Sequence, residues 1–107
     1  MSRISTHILD TSLGRPASGI AVELCRGSDV IATGVTDADG RVADLWNGDL
    51  ETGTYRICFA VGEYFRQTSR ETFYPDVRID FSVVDPGQHF HIPLLLSPFG
   101  YSTYRGS

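Results

Sequence analysis

Apolar and polar residues alternate with a period of two through most of this chain, and the alternating stretches are short. In IAVELCR (20–26), Ile20, Val22 and Leu24 share one face. Tyr55, Ile57, Phe59 and Val61 do the same in GTYRICFAV, as do Val77, Ile79, Phe81 and Val83 in VRIDFSVV. Successive side chains of a strand point to opposite faces, so each pattern predicts a strand with one buried side. Ile4 to Leu9, VIATGVT (30–36), HFHIPLLLS (89–97) and the closing YSTYRGS (101–107) extend the set. Turn residues punctuate it: DTSLGRPASG after the first run, DADG at Asp37 to Gly40, Asp85-Pro86-Gly87 and Pro98-Phe99-Gly100. The stretch after Val61 loses the period, and Gly62 to Thr68 is the one place for a short helix. These spacings predict an all-β, two-sheet sandwich of seven or eight strands, one domain over residues 1–107.

Composition narrows what such a domain does. With 107 residues, 41% apolar and 21% charged, the chain builds one core and is neither disordered nor membranous in character. A net charge of −4 argues against nucleic acid, whose binders need clustered positive charge. All nine basic residues are arginine, which excludes lysine Schiff-base chemistry and a P-loop. No stretch is long and apolar enough to cross a bilayer, and the start MSRISTHILDTS lacks the apolar run of a secretory signal, so a cytoplasmic location is expected. Cys25 and Cys58 are too few and too far apart for a zinc motif, and two reduced thiols are expected.

Candidate chemistry rests on three histidines and one arginine. Alternation sends His89 and His91 to the face opposite Phe90, Ile92, Leu94 and Leu96, which form the core side of that strand. Two imidazoles on a non-core face suit proton transfer near neutral pH, and equally suit two solvated surface residues. They could share a metal ion, but no acidic or cysteine third ligand stands at a recognisable spacing, so no metal site is expected. His7 lies on the face of Ser5 and Leu9, and Arg41 directly follows the DADG turn, which aims a side chain reproducibly. No nucleophile elbow is present. The residues alone leave an enzyme, a ligand carrier and an interaction module open.

Four stretches together resemble the transthyretin-like family, and within it the 5-hydroxyisourate hydrolase branch. They are STHILDTSLGRPA (5–17), TDADGRVADL (36–45), the frame from GTYRICF to FYPDVRIDF, and FHIPLLLSPFGYSTYRGS (90–107), whose ending Tyr104-Arg105-Gly106-Ser107 marks the enzyme branch. The resemblance covers essentially the whole chain and implies a transthyretin-like (prealbumin-like) sandwich. It implies a cofactor-independent hydrolase of urate breakdown towards allantoin, opening the six-membered ring of 5-hydroxyisourate to give 2-oxo-4-hydroxy-4-carboxy-5-ureidoimidazoline. Catalytic residues carried over are His7, Arg41, His91 and Ser107, and the substrate-binding set is His7, Arg41, Tyr104 and Ser107. His89 receives no role. The resemblance also implies a homotetramer with its sites in the channel between dimers, and a terminal segment that is itself part of the site. A non-catalytic carrier on the same fold is the alternative.

Overall fold

The computed structural model describes residues 2–107. Its elements are β1 (Ser2–Asp10), β2 (Arg15–Pro16), β3 (Ala21–Arg26), β4 (Asp29–Val35), β5 (Arg41–Gly48), β6 (Gly53–Phe59), α1 (Val61–Gln67), β7 (Val77–Val83), β8 (His89–Ser97) and β9 (Gly100–Thr103). One sheet is antiparallel, in the order β4-β3-β6-β7. In the other, β1 is central: β8 lies along one side of it in parallel, with β9 outside β8. The other side of β1 takes β5 along Ser2 to His7 and the two-residue β2 at Leu9 and Asp10. The expected two-sheet sandwich with one short helix is therefore the architecture found, with nine strands rather than seven or eight.

The extra strands have physical reasons for being hard to read. β2 is a two-residue ladder inside what composition marks as a turn. β5 carries a bulge that destroys its alternation: Val42 pairs Thr6 and Trp46 pairs Ile4, so Ala43, Asp44 and Leu45 stand opposite the single residue Ser5. The helix starts at Val61, one residue earlier than expected, and the closing segment is a strand only as far as Thr103.

The apolar faces meet as the alternation requires. Ile4 and Ile8 of β1, Leu94 and Leu96 of β8, Val22 and Leu24 of β3, and Tyr55, Ile57 and Phe59 of β6 are all buried between the sheets. Val61 and Phe65 of α1 join them, so this seven-residue helix, which has no side-chain N-cap, is held by its packing. Because the core claims the even-numbered positions of β1 and β8, their odd-numbered positions face outwards together. The parallel register puts Arg3 beside His89, Ser5 beside His91 and His7 beside Pro93.

The end of β1 is fixed by a buried carboxylate. Asp10 has no exposed surface; it accepts hydrogen bonds from Ser12 Oγ (2.7 Å), the Leu13 amide (3.2 Å), Tyr64 Oη (2.7 Å) and Arg70 Nη2 (2.6 Å). Burial alone would raise its pKa, but these donors, Arg70 foremost, hold it down to about 2. The unfolded carboxyl titrates near 3.8. The stabilisation is therefore present above pH 4 and is lost as pH falls through about 2, an effect of roughly 2–3 kcal/mol. Asp10→Ala strands the Arg70 charge and is expected to cost about 3–5 kcal/mol in urea denaturation at pH 7. An Asp10→Ala protein as stable as the wild type, or one with an unchanged acid limb, would contradict this.

Candidate active site

Four segments of the chain meet on the outward face of the β1–β8 sheet. The turn Asp37–Gly40 delivers Arg41. There the Asp37 carboxylate accepts from the amides of Asp39 (2.9 Å) and Arg41 (3.0 Å), and the Gly40 amide bonds to the Asp37 carbonyl (2.9 Å). Gly40 has φ +74°, and a side chain there would collide with the Ile8 carbonyl oxygen, so the turn requires glycine. Arg41 then pairs with His7 across the β5–β1 ladder. Six of the nine arginines form ion pairs, whereas Arg41 has no carboxylate partner among the described residues. Its fork of donors is available to a ligand.

The last residues close the site from the other side. The Gly106 amide donates to the His91 carbonyl (2.8 Å), an isolated bridge that ties down a segment with no strand structure of its own. Gly106 sits so close to the imidazole that a Cβ there would lie 2.5 Å from His91 Cδ2 and 3.2 Å from Pro93 Cγ. Only glycine lets the backbone lie on the ring, and this contact brings Ser107 to the rim of the pocket. The result is a hollow of about 180 Å³ lined by Arg3, Ser5, Thr6, Arg41, Ala43, His89, His91 and Ser107. Ala43 belongs to the β5 bulge.

Within this pocket the Ser5 hydroxyl lies 2.8 Å from His91 Nδ1 and 2.8 Å from His89 Nε2. His91 is half-buried and its pKa is lowered, first by burial and then by the neighbouring His89, His7 and Arg41. It is accordingly neutral at physiological pH and able to accept a proton. His7 stands next to the hollow, half-buried on the same face of β1, paired in register with Arg41 and close enough to His91 to disfavour its charged form. A compact polar heterocycle suits this volume, which is small beside the roughly 300–1,000 Å³ of sites for drug-sized ligands.

Of the residues singled out in the sequence, His91, Arg41 and Ser107 line the pocket and His7 adjoins it. Tyr104 is not brought there. It lines a separate, mainly apolar hollow of about 330 Å³ with Ile79, Phe81, Ser82, Phe90, Ile92, Thr103 and Arg105. The reason is the path after β9: Arg105 stacks on the Phe90 ring at 5.0 Å and bonds to Gln88, on the side of β8 away from His91. The larger hollow has no histidine or carboxylate in its lining, whereas the smaller one has two histidines and an arginine without a carboxylate partner among the described residues. Ser5 and His89, to which the family motifs assign no role, also line the smaller hollow. Alternation did show Ser5 on the His7 face, but its neighbours follow from the pairing of the first strand with the eighth.

Comparison with known proteins assigns the frame. Residues 4–106 match the HIUase/Transthyretin family. This chain belongs to that family. A 5-hydroxyisourate hydrolase of Caulobacter vibrioides is 45% identical, with all of both chains covered. The structure of Klebsiella pneumoniae 5-hydroxyisourate hydrolase superposes with a TM-score of 0.92 at 43% identity, covering 100% of this chain and 94% of that one. Sea bream transthyretin in complex with thyroxine superposes nearly as well, at TM-score 0.91, but is 31% identical over 97% of this chain and 94% of its own. The fold is thus common to a hydrolase and to a thyroxine-bound transthyretin, and the site residues must separate them. No helix of the described residues is long and apolar enough to cross a membrane.

Proposed function

We propose that this chain, acting as one hydrolase domain, hydrolyses 5-hydroxyisourate to 2-oxo-4-hydroxy-4-carboxy-5-ureidoimidazoline in the pocket framed by His7, Arg41, His91 and Ser107. The observation that carries the reading is the convergence of a neutral histidine, an arginine without a carboxylate partner and the Gly106–Ser107 segment on one small polar hollow. A thyroxine-type carrier has no use for that constellation, and relatives at 43–45% identity bear the hydrolase name.

The chemistry follows from these groups. A ring amide is opened when water oxygen bonds to the carbonyl carbon, the C–N bond breaks and the ring nitrogen gains a proton. His7 and His91 divide the proton work, one taking the proton of water while the other orients the reacting groups. Arg41 donates to the oxygen on which negative charge develops, and the Ser107 hydroxyl completes the polar wall. In its own chain Tyr104 faces the apolar hollow, so it reaches the substrate through a neighbouring copy of the chain.

The assembly we propose is a homotetramer in the cytoplasm. Exposed Phe73, Phe99 and Tyr104, with uncovered edge strands β4, β7 and β9, give a second copy something to cover, and unbridged Cys25 and Cys58 suit a reducing compartment. The test is to generate 5-hydroxyisourate with urate oxidase and follow its absorbance. Catalytic amounts of protein should speed its decay, EDTA should leave the rate unchanged, and light scattering should give four chains. No acceleration would transfer support to a carrier, and loss of rate on chelation restored by zinc would make the histidines metal ligands.

A further inference from the structure

The Ser5 hydroxyl sits between two imidazoles that cannot reach each other, since the His89 and His91 ring centroids are 6.3 Å apart. We propose that Ser5 and His89 form a proton exit, in which the Ser5 hydroxyl carries the proton released by water activation from His91 to the solvent-exposed His89 ring. This rests on the functional reading above and assigns His91, rather than His7, as the ring that accepts that proton.

Stoichiometry of protons restricts what the trio can do. A serine hydroxyl has one hydrogen, so between two ring nitrogens it donates to one and accepts from the other. When Ser5 donates to His89 Nε2, His91 Nδ1 holds a hydrogen and donates to Ser5, leaving the lone pair on His91 Nε2. That nitrogen has no hydrogen-bond partner among the described residues, while the neighbouring Cδ2 edge rests on Gly106. The ring is thus clamped by Ser5 on its Nδ1 side and by Gly106 on the other, with its basic nitrogen free for water.

A charge created on His91 is poorly accommodated. The ring is half-buried, and the groups facing it are His7 and Ser5 from β1, Arg41 from β5, His89 from its own strand and Ser107 from the terminal segment. Arg3, paired with His89 in register, lies 3.8 Å from Asp44, which offsets its charge. His89 is exposed. The transfer balances in one pass. Nε2 of His91 gains the proton of water, Nδ1 gives its hydrogen to Ser5 Oγ, and Ser5 gives its own hydrogen to His89 Nε2. His89 becomes an imidazolium and releases the proton to solvent. His91 is left neutral with its hydrogen on Nε2. As that hydrogen passes to the leaving ring nitrogen the chain runs backwards, Ser5 returning a hydrogen to His91 Nδ1 and His89, recharged from solvent, returning one to Ser5. No imidazolate forms, and the net proton released is that of the new carboxylic acid. No bond other than O–H and N–H changes, and no electron is transferred. Ser5 and His89 are positioning residues here; only His91 meets the reactants.

The experiment combines kinetics with spectroscopy on the full-length protein. In weakly buffered solution, His89→Ala should lower kcat for 5-hydroxyisourate roughly ten- to a hundredfold with KM little changed. Added imidazole should restore the rate in proportion to its concentration, because the missing ring is at the surface. Ser5→Ala should show a similar loss that imidazole does not repair. Independently of any activity, long-range proton–nitrogen NMR of the resting wild type should find His91 protonated at Nδ1 with Nε2 bare, and Ser5→Ala should mix the two tautomers. A loss in His89→Ala that imidazole leaves untouched would assign His89 a merely structural part and overturn the exit. An unchanged kcat in His89→Ala, or a wild-type His91 protonated at Nε2, would overturn it as well. If the wild type itself fails to accelerate decay, the functional reading falls, and the tautomer measurement still decides whether the linked trio exists.

Discussion

Replacing His91 by Asn lowers kcat by roughly 10²–10⁴, the range for a lost acid–base group, and His7→Asn does the same. Asparagine keeps a polar side chain in place but cannot take a proton. Both rings lie on the outward face of the sheet, away from Ile4, Ile8, Leu94 and Leu96, so thermal stability should hardly change. The effect thereby separates chemistry from folding. His89→Asn is expected to be milder, since its ring lies one hydroxyl removed from His91. If His89→Asn proves the severe variant while His91→Asn is nearly wild type, the division of roles on this face is wrong.

Deleting Tyr104 to Ser107 should abolish most activity and leave the fold standing. The deletion removes the Gly106 amide bond to His91, an exposed tyrosine and the cover that Arg105 gives the buried Phe90, but no buried side chain. A fall of a few degrees in Tm is the scale for losing about 1 kcal/mol in a domain of this size. The rate should fall by about a hundredfold or more, because His91 loses one of the two surfaces that hold its ring, and catalytic groups tolerate little displacement. Gly106→Ala is the finer probe. Its single added carbon presses on His91 Cδ2, so kcat should drop while the Gly106–His91 bridge region stays folded. Wild-type rates in both variants would reduce the closing segment to a loose end.

The fold was legible because alternation in a sandwich is a direct record of burial. Ile20, Val22, Leu24, Tyr55, Ile57 and Phe59 were all expected inside and all are there. β5 was not legible, since its bulge puts three residues opposite Ser5 and erases the period. One of those three residues, Ala43, lines the pocket, so the pattern fails where the site begins. His91, Arg41, His7 and Ser107 were reached through resemblance of whole motifs, because four residues from distant segments share no spacing. Tyr104 travelled with its motif to the pocket in the sequence reading, but the path of the chain after Thr103 puts it on the apolar side. Ser5 illustrates the opposite limit. A serine in a strand is unremarkable until the parallel pairing of β1 with β8 sets it between two imidazoles.

The place of the substrate is the central claim, and a stable relative of it can be followed directly. Urate, added to isotope-labelled protein and followed by NMR, should shift the signals of Ser5, Arg41, His91, Gly106 and Ser107 in a saturable manner. Ile79, Phe81 and Phe90 of the apolar hollow should stay unmoved. Shifts concentrated on Ile79, Phe81 and Tyr104, with His91 and Arg41 undisturbed, would contradict the account and make the apolar hollow the binding site.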